Sequence, residues 1–96
     1  MSAINTRFLE CYQLGLKCAQ GLVDERGRSY NNEFPITEYF PFGKVSYAQM
    51  VWTKTLRLMN QIETEGDERI EDTLLDLINY AAFMYAHIVQ ERESQL

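Results

Sequence analysis

The last third of the chain repeats its apolar residues at alternating steps of four and three, the spacing of one face of an α-helix. That stripe consists of Ile70, Leu74, Leu77, Ala81, Met84 and Ile88. Two similar stripes occur earlier, one from Ile4 to Leu22 and one from Val51 to Ile62. The pattern therefore predicts three helices, at about 4–25, 46–63 and 67–92.

Capping residues place the ends of these helices. Gly27 is expected to end the first helix, Ser46 to open the second with a capping box to Gln49, and Asp67 to cap the third. The turn between helices two and three is short, so these helices should form an antiparallel hairpin with helix one packed across it. We therefore expect an all-α fold in a single domain over residues 1–96.

The connector 28–45 has neither a helical nor a strand period, but it carries five aromatic residues: Tyr30, Phe34, Tyr39, Phe40 and Phe42. A solvated linker would not carry so many, so we expect the connector to pack on the helices or into a neighbouring subunit. Each helix also has more than one apolar flank. Because a monomer would leave these flanks exposed, the sequence predicts a homo-oligomer.

Charge and cysteine content limit the possible partners and location. A formal net charge of −5 argues against binding to duplex nucleic acid. No signal-peptide pattern is visible and the longest apolar stretch, 77–89, is too short for a membrane span, so we expect a cytoplasmic protein without a membrane partner. Cys11 and Cys18 are expected to be reduced core residues, and with His87 as the one histidine we predict no metal site.

Two acids in helix three are the strongest candidates for chemistry. Asp72 and Asp76 lie one turn apart and could hold Mg²⁺. However, the facing helices offer few further acids, so pairing with Lys54 and Arg57 of helix two is the favoured interpretation. No nucleophile–His–acid set can be assembled, and we predict no catalytic residue and no cofactor.

A basic pair and an aromatic pair could bind an anionic ligand. Arg26 and Arg28 flank Gly27, although a basic pair at a loop is more often solvated surface. Phe8 and Tyr12 are four apart on one helix face, where a core role is more common than base stacking.

Two runs carry a resemblance to known families. The first, Ser46 to Asn60, contains Lys-x-x-Arg-Leu, and the second, Arg69 to Phe83, contains Glu-Asp-x-Leu-x-Asp-Leu-x-Asn-Tyr. Together they resemble the phage-encoded "nucleotide modification associated" helical domains. In length and helix layout the chain is also similar to the small phage anti-CBASS sponges, and this second resemblance implies a hexamer that binds cyclic oligonucleotides without cleaving them.

The sponge resemblance implies particular site residues. Tyr12 corresponds to a ligand-binding tyrosine in the first helix of the sponges, and Arg26 or Arg28 to their basic residue just after that helix. Arg69 corresponds to their arginine near the start of the last helix. Phe8 and Thr73 complete the expected ligand-binding set. The ligands implied are cyclic dinucleotides, with cyclic trinucleotides as further candidates, captured in the host cytoplasm to block anti-phage signalling.

Two alternatives remain open at this point. One is a pyrophosphatase-like enzyme or accessory protein of phage nucleotide metabolism that uses Asp72 and Asp76. The other is a purely structural interaction module.

Overall fold

The computed structural model describes residues 5–30 and 36–95, and this part of the chain is helical without strands. Its elements are α1 (Thr6–Tyr30), the short α2 (Ile36–Tyr39), α3 (Lys44–Thr64) and α4 (Asp67–Ser94). α3 packs along α4, and α1 packs on α4. The predicted all-α class and the packing of a long first helix on a helical hairpin are confirmed.

The antiparallel register of the hairpin follows from three contacts between α3 and α4. Tyr47 lies against His87 near one end, Lys54 pairs with Asp76, and Gln61 contacts Thr73 near the turn. As residue numbers increase along α3, the numbers of the contacting residues on α4 decrease. The three α3 residues follow one another at steps of seven, so one stripe of α3 faces α4 throughout.

The first helix is longer than predicted. It continues through Gly27 to Tyr30, so the expected stop at Gly27 was wrong. A glycine inside a helix costs about 1 kcal/mol relative to alanine, which a long helix tolerates. It ends a helix reliably only where it takes the left-handed conformation.

The helix starts also differ from prediction in their capping. α3 begins at Lys44 after Gly43, which has φ 60° and ψ −130°. The Ser46 hydroxyl instead accepts a hydrogen bond from the backbone N–H of Phe42 at 3.0 Å. α4 is capped by Gly66 without a side-chain bond, which makes Asp67 its first helical residue rather than its cap.

Asn5 supplies a cap that the pattern analysis overlooked. Its Oδ1 accepts a hydrogen bond from the Phe8 backbone N–H at 2.7 Å, and its carbonyl accepts one from Leu9. Asparagine three residues before the bonded N–H is a common helix start, and it fixes the beginning of α1 at Thr6.

An aromatic cluster closes the open end of the hairpin. Phe40, from the connector, stacks on Tyr47 with ring centroids 4.3 Å apart and meets the edge of Tyr80 at 6.1 Å. Burial raises the pKa of the Tyr47 hydroxyl. Phe40 thus packs on the helices as expected, whereas Tyr39 and Phe42 are exposed, and the expectations for Tyr30 and Phe34 lie outside the described side chains.

The chain on its own is less compact than a globular monomer of its size. Its radius of gyration is 15.6 Å, against about 12.5 Å from the usual scaling with length. Its accessible surface is 7984 Å², against about 5,700 Å² expected for this mass. Within the described residues, Ala19 and Tyr47 are the buried hydrophobic residues, so much of the apolar surface lies outside the intrachain core.

None of the helices in the described ranges is long and apolar enough to cross a membrane.

Candidate ligand-binding face

One face of α1 is covered by α4 in its middle and open towards its start. Phe8, Tyr12, Gly15 and Ala19 follow at steps of four, three and four and so share that face. Ala19 is 1% exposed, and its carbonyl accepts a hydrogen bond from Asn79 Nδ2 of α4 at 2.9 Å. Phe8 and Tyr12 are 60% and 56% exposed. The beginning of α1 therefore extends past the region that α4 covers.

This projecting part of α1 is exposed on all sides. Every residue from Asn5 to Leu14 is exposed, and Thr6 lies about 20 Å along the helix axis from Ala19. We call residues 6–14 the α1 arm. Cys11 and Cys18 are also exposed, so their predicted place in the core was wrong. The packed stripe passes through Ala19 rather than Cys18 because the alanine allows α4 to approach closely enough for the Asn79 bond.

Charge on the α1 arm suits an anion. The first turn contains no acidic residue, and its backbone N–H groups favour negative charge. Arg7 stands next to Phe8 and makes a 3.6 Å ion pair with Glu10, in which both side chains are more than half exposed. Such an exposed pair is weak, so the guanidinium of Arg7 can exchange partners. The sequence analysis did not identify Arg7, although its position beside Phe8 near the start of the first helix could have indicated a phosphate contact.

Arg26 and Arg28 lie on the same continuous helix as Tyr12, not in a loop after it. Their side chains are outside the described part of the structure. At 1.5 Å per residue, Arg26 is about 21 Å and Arg28 about 24 Å along the axis from Tyr12. Within one protomer, Tyr12 is therefore separated from either arginine by about four turns of helix.

Arg69 and Thr73 lie one turn apart on α4 but in different surroundings. Arg69 is exposed and follows Asp67 and Glu68, whose charges oppose an anion at this helix start. Thr73 is 3% exposed, and its hydroxyl donates to Gln61 Oε1 at 2.6 Å between α3 and α4. The structure therefore gives Thr73 a helix–helix contact and leaves Arg69 at the surface.

The acids that could hold a metal ion are arranged for packing. Asp76 Oδ2 lies 3.1 Å from Lys54 Nζ, with the side chains 19% and 16% exposed, which confirms the predicted pairing at this position. Asp72 and Arg57 are exposed, and no salt bridge joins them among the described side chains. In the same ranges, no group of three His, Cys, Asp or Glu residues could hold a metal ion.

Comparison with protein-family models, with curated proteins and with solved structures gives no match for this chain.

Proposed function

We propose that the chain binds cyclic oligonucleotides and sequesters them without cleavage. The observation that carries this proposal is the exposed pair Phe8 and Tyr12, one turn apart on the α1 arm. Exposed aromatic rings at this spacing can stack on bases, and Arg7 and the N–H groups of the same helix start can contact phosphates.

The separation of Tyr12 from Arg26 and Arg28 adds a requirement for assembly. Because these residues are more than 20 Å apart along one helix, we expect a site that uses both to be formed by two copies of the chain. A cyclic dinucleotide has two phosphates and two bases, so it fits a two-fold contact at which each residue is supplied twice.

The direct test is calorimetry of the wild-type protein against a panel of cyclic di- and trinucleotides. Bound ligand is then recovered by heat denaturation and analysed. Saturable binding with intact ligand recovered supports sequestration. Linear products would instead support the nucleotide-processing alternative, and no binding to any member of the panel would end the proposal.

Tyr12→Ala should weaken cyclic dinucleotide binding about 5- to 150-fold, the range expected from about 1–3 kcal/mol of stacking per base. The matched control is Tyr85→Ala, which removes an exposed tyrosine from α4 and should leave the affinity unchanged. Equal losses in the two variants, with helix content intact, would contradict a site on the α1 arm.

Arg69→Ala tests whether a second site takes larger rings. Copies of Arg69 around a three-fold axis could converge on three phosphates despite the nearby Asp67 and Glu68, so this variant should weaken cyclic trinucleotide binding at least tenfold. Cyclic dinucleotides should be spared, because Arg69 and Tyr12 lie on different helices. If Arg69→Ala and Tyr12→Ala weaken both ligands alike, there is one shared site.

A further inference from the structure

The side of α3 that faces away from α4 carries an apolar stripe that no other described helix covers. We call it the outer stripe; it consists of Val45, Trp52, Leu56, Met59 and Ile62. Each of these side chains is more than half exposed, and Trp52, the only tryptophan, is 63% exposed at its centre. Val45, Trp52 and Met59 follow at steps of seven, the spacing of a helix–helix seam.

The outer stripe lies nearly opposite the stripe that contacts α4. The inward residues Tyr47, Lys54 and Gln61 are two positions further along than Val45, Trp52 and Met59, which at 100° per residue turns them to the other side of the helix. The ion pair and the buried hydrogen bond to α4 fix this rotation. α3 therefore cannot present both stripes to α4.

Between Val45 and Ile62 the outer stripe also lacks charge, and Glu63 follows at its end. The remaining residues on this side between those two positions are Ala48, Gln49 and Asn60, while Lys54 turns inward to Asp76 and Arg57 lies about 120° around the helix. A helix side that faces water normally carries charged residues. A stripe of this kind is typical of a surface that is covered when the protein functions.

The whole chain, including the α1 arm, exposes on the order of 2,000 Å² more than a compact monomer of its mass. A standard interface needs about 800 Å² from each partner, so this excess leaves room for an interface on the outer stripe in addition to the exposed α1 arm. We propose that the outer stripe packs against the same stripe of a second copy, antiparallel and around a two-fold axis. This inference does not depend on nucleotide binding.

Residue sizes favour the antiparallel arrangement. The midpoint of the outer stripe lies between positions 53 and 54, so pairing around it places Ala48 opposite Met59 of the second copy and Trp52 within one position of Leu56 of the second copy. The small Ala48 then faces a large residue. Parallel pairing would instead place Trp52 on Trp52 and leave a gap where Ala48 meets Ala48, and such gaps are unfavourable in a packed interface.

The substitution Trp52→Glu, followed by light scattering and sedimentation, tests whether the outer stripe forms the interface between two copies. The wild type is expected at a multiple of 11.3 kDa at micromolar concentration. Trp52→Glu should weaken self-association roughly thirtyfold or more, as loss of a central aromatic anchor does. The control Thr53→Glu adds the same charge one residue along, outside the stripe, and should keep the wild-type mass. A monomeric wild type, or wild-type mass in Trp52→Glu, would overturn the proposal.

Cross-linking tests the orientation and does not rely on a destabilising variant. In a Cys11→Ser, Cys18→Ser background, Ala48→Cys combined with Met59→Cys should form disulfide-linked dimers on mild oxidation. Ala48→Cys alone should not, because antiparallel pairing holds the two copies of position 48 about 16 Å apart, too far for a disulfide. Efficient dimers from Ala48→Cys alone, or none from the pair, would refute the antiparallel seam.

Discussion

Thr73→Val should destabilise the protein although it keeps the shape of the side chain. Thr73 and Gln61 are 3% and 2% exposed, and the Thr73 hydroxyl donates to Gln61 Oε1 at 2.6 Å. Valine removes the donor and strands a buried acceptor, which costs about 1–3 kcal/mol. For a domain of this size each kcal/mol lowers Tm by roughly 4–8 °C.

A double-mutant cycle isolates this interaction from other effects of the substitution. Gln61→Met has a similar volume without the amide, and replacing both partners by apolar groups is nearly neutral. Thr73→Val/Gln61→Met should therefore be more stable than Thr73→Val alone, with a coupling of about 0.5–3 kcal/mol. Urea unfolding followed by helix circular dichroism, at one fixed protein concentration, measures all four proteins. Stability of Thr73→Val within 0.5 kcal/mol of wild type, or simple additivity in the double variant, would refute the reasoning.

Two further substitutions test other contacts by the same assay. Asp76→Asn should lower the free energy of unfolding by about 1–3 kcal/mol, because it leaves the mostly buried ammonium of Lys54 without its charge partner. The substitution Asp72→Asn, at an exposed position, should change it by less than about 0.5 kcal/mol. Equal effects of the two substitutions would contradict the pairing. Gly43→Ala should lower the free energy of unfolding by about 1–3 kcal/mol, because few residues other than glycine adopt φ 60° with ψ −130° and the new Cβ would lie 3.2 Å from His87 Nε2. An unchanged Tm would show that the turn can rearrange.

The hairpin was the part of the fold that the sequence predicted best. Predicted bounds of 46–63 and 67–92 compare with Lys44–Thr64 and Asp67–Ser94, because two long periodic stripes separated by a short turn leave few alternatives. The cap residues were harder to place. Gly43 and Gly66 cap α3 and α4 without a side-chain hydrogen bond. Rules based on the spacing of polar side chains therefore do not detect these caps.

The packed side of α1 could not be predicted in the same way. Its sequence is apolar on several sides, and the expected stripe passes through Cys11 and Cys18 where the packed side carries Tyr12 and Ala19, although both include Phe8 and Gly15. The contact is decided by Asn79, whose amide reaches a backbone carbonyl sixty positions earlier in the chain. Helical periodicity within α1 alone contains no information on such a distant partner.

The same difficulty affects the expected ligand residues. Tyr12 and Phe8 could be placed on one face from their spacing, but whether that face is covered depends on where α4 ends its contact with α1. Thr73 carries no sequence sign that separates a ligand contact from a hydrogen bond to Gln61, which lies across the turn on the neighbouring helix.

The α1 arm is expected to couple helix formation to assembly. Helical segments shorter than about 12–15 residues are marginal in water on their own, and the stretch before Ala19 is of that length and contains Gly15. In a lone protomer its amide protons are therefore expected to exchange with solvent far faster than those around Ala19, where the Asn79 bond anchors the helix. Any subunit or ligand that covers Phe8 and Tyr12 would slow this exchange, so that winding of the first three turns and association become a single concentration-dependent equilibrium.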